Sequence, residues 1–327
     1  MRPIVPSEIG SVVNMFFLYR GERFGVGIIL AVSATLAVLV AQGQTQIVWD
    51  AFINQFVFYG IIMVSGLLLR CRGWLPRTSL TLVAVGFFPI FSSVTALTGH
   101  MMFPLQRPLV DETLFAIDHA LGYDWVAAVT WLADYPQLST IMKYVYLSAL
   151  PQLLILLIVL GVQGRVIALH RMVVTGMVAG CLITLFWSIW PSFGPSAYLD
   201  VPDEVIARAG LLVTPDYGAQ LMDLARNGME RIEKHQLLGT MAFPSFHILM
   251  ATLALFFARG TWLFWPYVMA NSLMIPATLT HGGHHLIDMP GGVLLFVCSY
   301  AISRQMLPQT AQAGCATTPD YPTTATA

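Results

Sequence analysis

Runs of apolar residues near 25–43, 48–69, 78–98, 139–161, 171–191, 243–258, 262–280 and 286–303 constrain this chain more than any other feature. A helix of about 20 apolar residues crosses a hydrocarbon core about 30 Å thick. Inside that core the backbone must satisfy its own hydrogen bonds, which leaves helices and closed barrels. The alternating polar-in pattern of barrel strands is absent. The sequence therefore predicts an all-α, polytopic membrane bundle of about eight transmembrane helices. Composition agrees: 57% of the 327 residues are hydrophobic, 10% are charged, and the mean hydropathy is +0.71. About a quarter of the residues of a soluble domain are charged, so a soluble globular enzyme is excluded. A net charge of −1 and a pI near 6.7 offer no basic face to nucleic acid.

Basic residues give the orientation, because cytoplasmic loops are enriched in Lys and Arg. Arg20, Arg23, Arg70, Arg72, Arg77, Arg165, Arg171, Arg259 and Arg304 all fall on one side if the spans alternate, while Gly43–Thr45 and Gly282–Gly283 lie on the other. Both termini are placed in the cytoplasm of an integral membrane protein of the cell inner membrane. Residues 1–98 read as N-terminal spans, 99–303 as a core with an extracytoplasmic cap near 192–241, and 304–327 as a disordered cytoplasmic tail. The four cysteines lack metal or redox spacing, and Cys181 and Cys298 read as small buried residues within apolar runs.

Two outer segments are longer than turns. Leu114, Ile117, Leu121 and Trp125 form one helix-like stripe, interspersed with Asp111, Glu112, Asp118 and Asp124. Leu221, Leu224, Met229 and Ile232 form a second, against Asp223, Arg226, Arg231 and Glu233. Both read as interfacial amphipathic helices, with Asp111 and Glu112 as surface charges.

Ionisable residues at span ends are functional candidates by default. His247 closes Phe243-Pro244-Ser245-Phe246-His247 at the outer start of one span, and His281, His284 and His285 precede another. Two crossings separate the clusters and return them to one side. His284 and Asp288 are four apart, so a helical turn aligns them. The carboxylate can then accept the Nδ1 proton and leave Nε2 free to attack, the orienting logic of hydrolytic triads. His247 is the candidate proton donor. Gly282 and Gly283 allow close backbone approach, and Gly291 and Gly292 allow close helix packing. Pro290 starts the regular helix near Asp288.

Two other classes compete. His281-x-x-His284-His285 matches one box of membrane di-iron desaturases and hydroxylases, but the remaining histidines (His100, His119, His170, His235) are isolated and the ligand set falls short. A non-catalytic transporter would place its ionisable groups near the midplane on broken helices, whereas these cluster at one surface.

Pro244-Ser245-Phe246-His247 and His284-x-x-x-Asp288 resemble the second and third motifs of the type 2 phosphatidic acid phosphatase superfamily. The family pattern is Lys-x6-Arg-Pro, Pro-Ser-Gly-His and Ser-Arg-x5-His-x3-Asp. Phe246 stands in place of the glycine and Thr278 in place of the third-motif arginine, departures similar to the inositol phosphorylceramide synthase and sphingomyelin synthase branch. His100 through Arg107-Pro108 gives His-x6-Arg-Pro, with His100 in place of the lysine. Arg107 is either a bidentate phosphate ligand or a lone interfacial arginine. Lys143 is a second phosphate candidate or a snorkelling side chain, and Arg226, Arg231 and Lys234 are available on the cap.

The resemblance implies a catalytic set of His284, His247 and Asp288, with Ser245, His281, His285, Arg107 and Lys143 binding substrate, and no metal or cofactor. It implies that His284 attacks the phosphorus of a phospholipid or lipid phosphate to give a phosphohistidine. A lipid alcohol then accepts the group in a phosphotransferase, or water accepts it in a lipid phosphate phosphatase of the same superfamily. Phe246, the missing arginine and the long cap favour the transferase.

Overall fold

The computed structural model describes residues 18–43, 45–233 and 237–307. Among them the apolar runs are mostly helical. Long helices form α1 (Arg20–Gln42), α2 (Asp50–Cys71) and α3 (Pro76–His100). Short α4 (Asp111–Ala120) and α5 (Trp125–Ala133) precede α6 (Pro136–Leu147), α7 (Ala149–Val162) and long α8 (Val166–Ile189). The cap carries a 3-10 turn at Pro195–Ala197, then α9 (Asp203–Ala209) and α10 (Pro215–Asn227). The chain ends in α11 (Phe246–Ala258), α12 (Phe264–Asn271), α13 (Met274–His281) and α14 (Asp288–Met306).

By length and apolarity α1, α2, α3 and α8 can cross a membrane, and α6 with α7 makes a fifth span if the bent pair counts as one. The expectation of about eight spans is therefore supported for four or five. Of the others, α11, α12 and α13 are short, and the unbroken α14 carries Asp288 and Arg304 at its two ends. The α6–α7 axis bends by 49°, where Pro151 has no N–H for Leu147, four residues back. Pro276 stands in the same relation to Ser272, at the α12–α13 break. Pro290 sits in the first turn of α14, where its missing N–H costs nothing, and the helix begins at Asp288. Arg304–Met306 continue α14, and the rest of the expected tail, 308–327, lies outside the described residues.

The core sits between α3, α7, α8, α11 and α14, around Leu156, Leu160, Leu169, Met177, Leu253 and Ala254. Small residues set the closest approaches: Gly66 and Gly86 bring α2 and α3 backbone to backbone, where a Cβ would strike Ser79 or Tyr59. The outer surface is apolar, with Leu30, Phe58, Ile61, Leu185, Leu294 and Val297 exposed, as a lipid-facing surface requires. Cys298 is exposed on α14 and Cys181 is half-buried, so neither is the enclosed residue expected.

The bundle has two distinct ends. At one, Arg70 bonds Glu22 at 2.6 and 2.8 Å, His170 lies 3.5 Å from Glu22, and Arg165 donates to the Arg259 carbonyl. The arginines assigned to one side by their sequence positions thus gather there. The other end carries the cap. Strand β1 (Gln46–Ile47), following α1, pairs in parallel with β2 (Arg231–Ile232) of the cap, and Thr45 donates to the Met229 carbonyl at 2.8 Å.

The second amphipathic stripe is only partly helical. Leu221 and Leu224 of α10 pack on Phe103, Trp187 and Phe193. Gly228, at φ +69, ends that helix, and Ile232 is buried in β2. The first stripe is reversed in part: Leu121 is exposed, while Asp111 and Asp118 are buried.

Candidate active site

At the capped end a cavity of about 320 Å³ opens between α3, α6, α8, α11 and the cap. His247 and His284 both line it, together with Tyr146, Ser196, Tyr217 and His100. The two imidazoles approach through different elements. Ser245 is the N-cap of α11 and accepts from the Ile248 N–H, which sets His247 in the first helical turn. His284 stands in the loop between α13 and α14, and Asp288 opens α14.

His284 Nδ1 donates to Asp288 Oδ2 at 2.8 Å, and the backbone N–H of His285 donates to the same oxygen at 3.0 Å. Asp288 is wholly buried. With Nδ1 so engaged, Nε2 is the nitrogen left for the cavity. His247 stacks on the Tyr146 ring with centroids 3.8 Å apart and planes 17° apart. A Cβ at Gly282 would lie 2.8 Å from both the Tyr146 and His284 rings. Tyr146 therefore fills the space between the two histidine-bearing segments.

Backbone packing fixes this loop. Gly194 (φ +84) meets the Gly283 carbonyl where a Cβ would stand, and Gly283 (φ +62) meets the Ser196 side chain. Both positions need glycine for conformation and for space. The close packing expected of Gly292 is present too, against the Ser245 carbonyl and Ile248.

The remaining sequence candidates lie elsewhere. His285 is completely buried behind the cavity, its Nδ1 2.6 Å from Asp118 and its Nε2 3.4 Å from Asp111. His281 is also buried, with Nε2 3.0 Å from the Ser139 carbonyl. Ser245, on α11, is fully enclosed. Lys143 donates to the Gly210 carbonyl at 3.2 Å. Arg107 is exposed on the loop after α3. Arg226 and Arg231 are exposed on the cap, and Lys234 and His235 lie outside the described residues. Among the described residues, no Lys or Arg lines the cavity.

His281, His284 and His285 turn to three different partners, and among the described residues no group of three or more His, Cys, Asp or Glu side chains could hold a metal ion. The donor set does not fit a di-iron centre.

Several site residues escaped the sequence reading. Asp111 is buried, not a surface charge, and accepts from the N–H groups of Phe193 and Gly194 and from the Tyr198 hydroxyl. Asp118 accepts from the Leu286 N–H at 2.9 Å. Their seven-residue spacing on α4, two helical turns, was the available signal. His100, read as isolated, lines the cavity, with Nδ1 2.9 Å from the Ala96 carbonyl and Nε2 accepting from the Leu238 N–H. Nothing in the sequence marks Tyr146.

No curated protein and no solved structure matches the chain. The family model of the PAP2 superfamily matches residues 112–302, from the first turn of α4 to the last turns of α14. That match takes in both histidine segments and more than half of the sequence, and the chain belongs to the PAP2 superfamily.

Proposed function

We propose that this chain is a membrane phosphotransferase that moves a phospho-headgroup between lipids through a phosphohistidine on His284, as in inositol phosphorylceramide synthase-like enzymes. Membership of the superfamily supports action on lipid phosphates in a membrane at the coarser level. The observation that carries the reading is the His284–Asp288 bond at the wall of a cavity that His247 also lines.

In this reading Nε2 of His284 attacks phosphorus, forming an N–P bond as the P–O bond to the leaving group breaks. Protonated His247 gives its proton to the departing alkoxide. The acceptor hydroxyl then attacks the phosphohistidine, its proton passes to His247, and the N–P bond breaks. Asp288 stabilises the imidazolium character that develops on His284, and the covalent step divides one difficult displacement into two.

A lipid phosphodiester substrate is favoured over a phosphomonoester by charge. A monoester carries close to two negative charges near neutral pH and a diester one, yet no described Lys or Arg lines the cavity. Hydroxyls of Ser92, Thr95, Ser196, Thr240 and Tyr217 suit a neutral polyol headgroup better than a dianion. In this proposal the cavity faces the extracytoplasmic side of the inner membrane, and Arg107 and Lys143 act on lipid arriving at the cap.

The test is incubation of the purified protein with phospholipid labelled in its headgroup phosphate, with and without a ceramide or diacylglycerol acceptor. A new labelled lipid that requires the acceptor is expected. Free headgroup phosphate alone, whatever the acceptor, would replace the transferase by the phosphatase.

A further inference from the structure

His285 is next to the proposed nucleophile, yet it does not line the cavity and is wholly buried. Both of its ring nitrogens face carboxylates: Nδ1 lies 2.6 Å from Asp118 Oδ2, and Nε2 lies 3.4 Å from Asp111 Oδ1. Carboxylates only accept, and a neutral imidazole offers one N–H. A neutral ring would set a lone pair against one of the two carboxylates, whereas the imidazolium satisfies both.

The carboxylates are themselves anchored. Asp118 accepts from Leu286 N–H at 2.9 Å. Asp111 accepts from Gly194 N–H at 2.7 Å and from the Tyr198 hydroxyl at 3.2 Å. The N–H of His285 reaches Asp288 Oδ2, the oxygen that holds His284. One polar chain thus runs from the cavity wall at Phe193–Ser196, through α4, to His284. We propose that His285 is a positioning residue, an imidazolium clamped between Asp118 and Asp111 that holds Asp288, and through it His284, in register with the cavity wall.

Charge gives the clamp a second consequence. Asp111, Asp118 and Asp288 surround the loop that would receive an anionic substrate, and the imidazolium offsets part of their field. Burial opposes that charge, but Asp111, Asp288 and Asp118 outweigh it and raise the imidazole above its ordinary value. The other titratable groups nearby are the Tyr198 phenol on Asp111, the Tyr123 phenol near Asp118 and Asp288, and His284. Burial first, and then these carboxylates, keep both phenols protonated well above their usual range. The ring of Phe115 closes the remaining side at 4.7 Å.

The kinetic consequence rests on the phosphohistidine reading, and the protonation state does not. Nitrogen-15 NMR of the full chain, labelled at histidine in detergent micelles just above about pH 7, where an ordinary imidazole is mostly neutral, should show a ring with both nitrogens protonated. That signal should vanish in His285→Gln and titrate at lower pH in Asp111→Asn. Asp111→Asn and Asp118→Asn should lower kcat by about tenfold to a hundredfold with KM nearly unchanged, and move the alkaline limb of the rate profile to lower pH. A wild-type spectrum with no doubly protonated ring above about pH 7 would overturn the clamp, as would carboxylate variants that keep both kcat and the alkaline limb. If Asp118→Asn does not fold, the wild-type spectrum and Asp111→Asn decide. If the wild type turns over no lipid phosphate, the transferase falls while the spectra still judge the clamp.

Discussion

His284 and Asp288 are joined by a 2.8 Å bond from ring to carboxylate, across the turn that leads into α14, and Asp288 is fully enclosed while it makes that bond. A carboxylate so placed selects one tautomer and one ring orientation. Asp288→Asn keeps the shape but can donate to Nδ1 and favour the wrong tautomer. We expect kcat to fall by about a hundredfold to ten-thousandfold with a smaller change in KM, read from steady-state transfer in mixed micelles. Wild-type kcat in this variant would remove Asp288 from the mechanism.

The meeting of Gly194 with Gly283 predicts a stability effect separate from chemistry. Gly194→Ala places a Cβ on the Gly283 carbonyl at φ +84. The strain is about 1 to 3 kcal/mol, seen as a lower melting temperature in detergent. Gly122→Ala, at φ +73 with open space around it, is the control and should cost less. Equal losses would mean that backbone conformation alone, and not the contact between the two loops, sets the cost.

At the opposite end, Glu22 is buried between Arg70 and His170. Arg70→Met takes away the bidentate partner and leaves the buried carboxylate to His170 and the Tyr19 N–H, so it should destabilise by about 3 kcal/mol. Glu22→Leu together with Arg70→Met should recover most of that loss. Denaturant or thermal unfolding of both variants checks it, and additive losses would show that the pair does not act as a unit.

Stability should also depend on pH through His285. Its folded pKa is raised above the unfolded value of about 6.5, so its contribution is complete below that value. The contribution is lost as pH climbs through the raised folded value. The wild type should therefore lose stability on the alkaline side in a step that is missing from His285→Gln. A step that persists in the variant would assign it to another group.

The sequence made parts of this arrangement legible and hid others, for physical reasons. Helix period and apolar length located every long helix, and the four-residue spacing joined His284 to Asp288 because one turn is a local object. Pro-induced breaks at Pro151 and Pro276 divided segments whose hydropathy alone reads as continuous spans. Asp111 and Asp118 looked like the wet side of an interfacial helix, because their partner His285 lies far along the chain and only tertiary packing brings them together. The strand pair beginning at Gln46 and Arg231 was invisible for the same reason, being two residues long on each side.

In the proposed mechanism every turnover passes through a covalent intermediate on His284. Brief reaction of the purified protein with lipid labelled at phosphorus, quenched in base and mapped by mass spectrometry, should find an acid-labile phosphate that still carries its headgroup on the peptide containing His284. The label should be absent from His284→Ala, together with turnover. A phosphoenzyme on another residue, or transfer that survives in His284→Ala, would remove His284 as the nucleophile.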